Sequence, residues 1–210
     1  MSGTFPSTQG FRGLNFNNNQ PNLVSVTTSG RRQAKSQGAQ FFSFTVQTPP
    51  MSSAEHKEVM GFLAAQRGQF DAFQIVLPNI STPAGSVTGN PLNVNTSSAD
   101  AGDKSVAVDG GVNSQTGYLK KGDVIRFTTK SGVPTQLGTK VYVLTADADT
   151  NGSGQTTLNF EPGLIEDIAD DTDVETNDVQ FTVFKVSPAS EFDLGLSGKV
   201  QVEFEVREAF

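Results

Sequence analysis

Hydrophobic and polar positions alternate most regularly in the last strand-like segment, residues 199–207. There Val200, Val202, Phe204 and Val206 oppose Gln201, Glu203, Glu205 and Arg207. A period of two with one apolar face predicts a strand over a core. The same period recurs at 40–47, where Phe42, Phe44 and Val46 oppose Phe41, Ser43, Thr45 and Gln47, and Pro49-Pro50 ends the run. Shorter apolar runs predict strands at 23–28, 70–77 and 178–186. One segment carries a helical period: Val59, Phe62, Leu63 and Gln66 share a face over 52–67. Ser52 with Glu55 three residues on reads as its capping box, and Gly68 as its stop.

Between these segments the pattern changes. Residues 79–117 are rich in Ser, Thr, Asn, Gly and Ala, with a short strand at 105–108. Three β runs follow at close intervals, at 123–128, 140–145 and 156–160. Short strands spaced by glycine-bearing turns predict a small barrel. Two strands at the C-terminal end cannot stand alone. Their partners are predicted among 23–28, 40–47 and 70–77, which makes the fold class mostly β. The expected organisation is an N-terminal arm at 1–22 and a β-sandwich-like core with one helix from 23–81 and 177–210. A β-barrel-like domain is inserted at 82–176. The arm carries Phe5, Phe11, Leu14 and Phe16, too apolar for a solvated tail, and is expected to lie on its own domain or on a neighbouring chain.

Composition narrows the chemistry. The 210 residues include no Cys, no Trp and one His, which removes disulfides and thiolate sites and leaves a histidine metal site hard to build. Fifteen basic against 22 acidic residues give a net charge of −7, against tight nucleic-acid binding. No apolar run reaches membrane-spanning length, and the first residues lack the charged and apolar regions of a leader, so a soluble protein made in the cytoplasm is expected. Asp147-Ala-Asp149-Thr-Asn151-Gly152 matches the first half of a calcium loop, but Leu158 stands where the bidentate acid belongs, so a hairpin turn is expected. His56 is expected at the edge of the helix, with no serine placed to form a triad. The stretch 132–140 has one residue too many between its glycines for a phosphate loop, and Thr139 intervenes before Lys140. Seven carboxylates between 165 and 178, with no base among them, are expected in a solvated loop. Arg31, Arg32 and Lys35 form the one basic cluster.

Beyond these patterns, Ser29-Gly-Arg31-Arg32-Gln-Ala-Lys-Ser-Gln-Gly38-Ala-Gln-Phe-Phe42 resembles the start of tailed-bacteriophage tail-tip proteins. So do Phe62-Leu-Ala-Ala-Gln66-Arg67-Gly68-Gln69-Phe70, Leu119-Lys-Lys121-Gly122-Asp123, Lys140-Val-Tyr142-Val-Leu-Thr145-Ala-Asp147 and the ending Glu208-Ala209-Phe210. The group is the distal tail protein of long-tailed phages, or a closely related minor tail protein. The resemblance covers most of 25–75, 115–165 and the C-terminal segment. It implies a virion protein of the tail tip, assembled in the bacterial cytoplasm, with a ring-forming β-rich core, commonly hexameric, and an outward barrel-like domain. Its implied partners are copies of itself, the tail tube protein, the tip hub protein and genomic DNA in transit, with no membrane. No catalytic residue, cofactor or metal comes with it. Inter-subunit contacts are expected at Phe5, Phe11, Phe16, Arg31, Arg32 and Lys35. Carboxylates are expected to outnumber bases on the lumenal face, where they repel phosphate. A carbohydrate- or receptor-binding module and a tail-associated hydrolase are the alternatives.

Overall fold

The computed structural model describes residues 3–6, 10–36, 40–96, 99–128, 139–195 and 198–210. In the first part of the chain β1 (Gly13–Asn19) precedes a hairpin of β2 (Asn22–Val26) and β3 (Arg32–Ser36). Then come β4 (Phe41–Gln47), α1 (Ser53–Ala65) and β5 (Phe73–Val76). The middle holds β6 (Leu92–Val94), β7 (Ser105–Asp109), β8 (Val124–Phe127), β9 (Val141–Leu144), β10 (Thr156–Glu161) and β11 (Asp173–Glu175). The chain closes with β12 (Gln180–Lys185), β13 (Glu191–Leu194) and β14 (Val200–Glu208).

One six-stranded sheet runs β1-β4-β14-β12-β5, with β13 added on β14, and every pair is antiparallel. The alternation of β4 and β14 puts Phe42, Phe44, Val46, Val202, Phe204 and Val206 on a buried face, because successive side chains point to opposite sides of a strand. The sheet curls around that face. Phe16 on β1 and Phe181 on β12 are three strands apart, about 14 Å if the sheet were flat, yet their rings meet at 5.9 Å. Phe42 and Phe44 complete this aromatic cluster. Helix α1 covers another part of the same face with Val59 and Leu63. Phe62 stands edge-on to Phe73 at 5.4 Å.

The middle strands close on themselves as a barrel, in the order β10-β7-β6-β11-β8-β9. Closure removes free edges, which suits strands of only three to six residues. Phe127, Tyr142 and Phe160 fill the barrel as an edge-packed triad with centroids 5.2–5.7 Å apart. The barrel leaves and rejoins the sheet at one place: Ser81 Oγ donates to the Val179 carbonyl at 2.7 Å, and Val179 N–H returns to Ser81 O at 3.1 Å. Val124 and Val141 of the barrel belong to the sheet's core cluster, so barrel and sheet share packing.

Three sequence expectations are corrected. The stretch 23–28 is no core strand, because β2 pairs only with β3, outside the six-stranded sheet. The described residues of 1–22 lie on the chain's own domain, one of the two places expected for the arm. Phe5 is buried in the chain's own core, Phe11 and Phe16 pack half-buried against it, and Gly13–Asn19 is the edge strand β1. Phe5 is therefore no inter-subunit contact, while Phe11 and Phe16 keep part of their surface exposed. Finally, 165–178 is not wholly a solvated loop, since Asp173–Glu175 is a barrel strand with Val174 buried. Of the stretch 132–140, residues 132–138 lie outside the described part, and Lys140, at the start of the run 140–145, is buried.

Burial pushes the Tyr142 hydroxyl up to about 12, against a backbone N–H donated by Ile165 at 3.3 Å. Burial also raises Tyr118, the other tyrosine. The stability these groups contribute is complete below the ordinary tyrosine range, about 10, and is lost as pH rises through the raised values. With no Trp to obscure it, absorbance near 295 nm (approximate, tyrosinate band) is expected to rise only above the ordinary tyrosine range, about 10, with the Tyr142 share coming near 12. A rise at the ordinary pH would contradict the packing of both rings.

Candidate interaction surface

The β2–β3 hairpin projects from the sheet with all of residues 22–36 exposed. Its turn is set by Gly30, at φ +80°, and by Thr27, which accepts from Gly30 N–H at 2.8 Å through its carbonyl. Thr27 Oγ1 accepts from Arg31 N–H. Register places Leu23 across from Lys35, Val24 across from Ala34 and Val26 across from Arg32. Leu23 and Val26 are 59% and 63% exposed. A two-stranded hairpin with no buried face is marginal in water. Arg31, Arg32 and Lys35 give it three positive charges with no carboxylate in 22–36. Among the described residues none of the three forms an ion pair. The sequence therefore located the basic cluster, whereas Phe5, Phe11 and Phe16 belong to the core.

The outer face of the curled sheet is polar. Asn15, Asn17 and Asn19 of β1 lie beside Ser43, Thr45 and Gln47 of β4, then Gln201, Glu203, Glu205 and Arg207 of β14. Arg207 lies over the Phe41 ring at 3.7 Å. At the far end β13 places Glu191 opposite Glu203 and Asp193 opposite Gln201. The strand β13 and its two carboxylates went unread in the sequence, because Glu191–Leu194 is a short run between turns.

Between the base of the hairpin and the barrel lies a cleft of about 640 Å³, with Asn22, Gln40, Lys104, Glu161 and Ile165 among its walls. Lys104 and Glu161 pair at 2.6 Å at its rim. Its floor is a buried node. Glu208 of β14 accepts from Lys140 Nζ at 2.6 Å, from Phe42 N–H at 3.0 Å and from Val141 N–H at 2.9 Å. Lys140 also donates to the Gln40 carbonyl at 2.8 Å. Burial raises the Glu208 carboxyl and lowers the Lys140 ammonium, each opposed by the other's charge. One carboxylate thus ties β4, β9 and β14 together. A second buried pair, Arg126 with Glu175 at 2.6 Å, braces the barrel, and burial raises the Glu175 carboxyl.

The oxygens of the calcium-like stretch are engaged in folding their own loops. Asp147 accepts from Lys121 N–H and Lys120 Nζ, Asp149 from Gly117 N–H, and Asn151 from the backbone of Ser153 and Gln155. Among the described residues no group of three or more His, Asp or Glu is placed to hold a metal. His56 sits in the first turns of α1 with Nδ1 3.3 Å from the Ser52 carbonyl. Both tyrosines are buried, so neither presents a ring for stacking on a sugar. No described helix is long and apolar enough to cross a membrane. No protein-family model and no curated sequence matches the chain.

Proposed function

We propose that this chain is a structural, non-enzymatic protein of a long-tailed phage tail tip. Copies of it form a closed ring of six that joins the tail tube protein to the tip hub and lets genomic DNA pass. The observation that carries the reading is the hairpin: fifteen exposed residues, 22–36, make a surface that a lone copy leaves bare. The motif resemblance in 29–42 falls on this segment and on the start of β4. A net charge of −7 per copy, repeated around a ring, repels phosphate and keeps transit free of sticking. The barrel leaves and rejoins the sheet beside Ser81 and Val179 and packs on it through Val124, Val141 and Lys140, so it sits against the ring-forming part.

Reconstruction of tail particles by cryo-electron microscopy is the test. The expected density is a six-fold ring at the tip, with carboxylates outnumbering bases along the lumen. One copy per particle, or a position in the head, would overturn the proposal.

A further inference from the structure

The basic hairpin and the acidic end of the polar sheet face lie at opposite ends of the same strands. Strand β4 starts beside the hairpin at Phe41 and ends at Gln47, whose register partner on β14 is Glu203. Six strand steps, about 20 Å, separate the two ends. At the far end Glu191, Asp193, Glu203 and Glu205 are all exposed. Glu191 and Glu203 face each other directly across the strand pair, an arrangement that repels. Among the described residues none of the four is in an ion pair; Gln47 Nε2 donates to Glu203 at 2.9 Å. Two cations flank this corner, Lys199 just before β14 and Arg12 just before β1. Beside it Leu194 is 69% exposed. One end of the molecule thus carries unpaired cations with exposed aliphatics, and the other four carboxylates outside any ion pair, against two flanking cations, with an exposed leucine.

We propose that the β2–β3 hairpin of one copy docks on the β13–β14 acidic corner of the next. Arg31 and Arg32 meet Glu191, Asp193, Glu203 and Glu205, with the long Lys35 side chain reaching round from the other face, while Val24 and Val26, on the Arg32 face of the hairpin, cover Leu194. This rests on the ring reading above and specifies its contact. The two surfaces differ, so the interface is heterologous, and each copy keeps one donor and one acceptor free to continue the chain of contacts until it closes. A second copy fits better than a nucleic acid, since three cations on a −7 chain hold phosphate weakly.

Two reversed full-length proteins test this: R31E/R32E/K35E, with an acidic hairpin, and E191K/E203K/E205K, with a basic corner. Both sets of positions are exposed, and circular dichroism checks that folding is unchanged. Sedimentation is expected to show association weakened at least about ten-fold for each variant alone, because like charges then meet. An equal mixture should regain assembly, since acidic hairpins fit basic corners and native hairpins fit native corners in strict alternation, which a six-membered ring accommodates. In the wild type, zero-length carbodiimide coupling should join Lys35 of one isotope-labelled copy to a corner carboxylate of an unlabelled one. Wild-type rings without that crosslink, or reversed variants that assemble normally, overturn the docking and leave the ring. A wild type that remains monomeric with no crosslink overturns both. A hairpin-dependent shift of a DNA oligonucleotide without self-association also overturns the docking.

Discussion

Glu208→Ala is expected to lower the unfolding free energy by about 3–5 kcal/mol, the usual cost of breaking a buried ion pair from one side. The substitution leaves Lys140 Nζ inside the structure with the Gln40 carbonyl and the Phe42 and Phe210 rings but no counter-ion, and takes the acceptor from Phe42 and Val141 N–H. Lys140→Met is expected to cost a similar amount at pH 7 but to behave differently with pH. The sign follows from the direction of each shift. Burial raises Glu208, so what that group contributes is complete below the ordinary glutamate range, about 4.3, and fades as pH rises through the raised value. Burial lowers Lys140, whose contribution is complete above the ordinary lysine range and fades as pH falls through the lowered value. With Lys140 gone, the carboxylate loses its counter-ion and its value climbs further, so the variant should regain stability on acidification toward pH 5. The pair K140M/E208Q buries no charge but keeps an acceptor for only one of the two N–H groups, which bond to different oxygens of Glu208, and should stay about 1–3 kcal/mol below wild type, the cost of one unsatisfied buried donor. Chemical denaturation across pH 5–8 reads all three. A Glu208→Ala loss under about 1 kcal/mol would mean that water reaches the node.

Excision of the barrel is expected to leave a folded sheet. Ser81 and Val179 are already hydrogen-bonded to one another, so a short Gly-Ser bridge from 81 to 179 closes a small gap at little entropic cost. The trimmed chain loses the packing of Val124 and Val141 against the core, about 1.5–3 kcal/mol for each side chain fully uncovered. It should therefore melt cooperatively at a lower temperature. It also opens Glu208 to solvent, which gives a sharper test. In the trimmed chain Glu208→Ala should cost less than about 1 kcal/mol, because the coupling belongs to the barrel contact. Loss of residues 199–210 removes β14, which pairs with β4, β12 and β13, and should prevent folding. A trimmed chain that aggregates beside a folded C-terminal truncation would reverse this assignment.

Strands with a clean period were legible in the sequence: β4 and β14 from alternation, and β8 to β10 from short apolar runs between turns. What was hidden was non-local. Leu23, Val24 and Val26 look like core residues, because alternation says that a face is apolar and not that anything covers it. Strand β1 was obscured by Asn15 and Asn17 to Asn19, poor strand formers in isolation, although Leu14 and Phe16 already alternated. Glu175 looked like one more solvated acid, and its burial depends on Arg126, 49 residues earlier (175 − 126). The Lys140–Glu208 node joins residues 68 apart and leaves no local trace. At the interaction surface the hairpin's charge was readable, whereas the corner required the β13–β14 register, which sets Glu191 against Glu203.

Strand β14 lies between β4 and β12 in space but follows both in the chain. During synthesis the barrel strands leave the ribosome as one contiguous run, each able to find its neighbours as it emerges. The sheet has to wait. Until β14 appears, β4 and β12 have a gap where their shared partner belongs, with Phe42, Phe44 and Phe181 exposed around it. Domains generally fold as units in the order they emerge, and closing non-local strand pairs is slow. The barrel is therefore the first of the two to mature, and the acidic corner of β13 and β14 takes shape only after translation has passed Glu208.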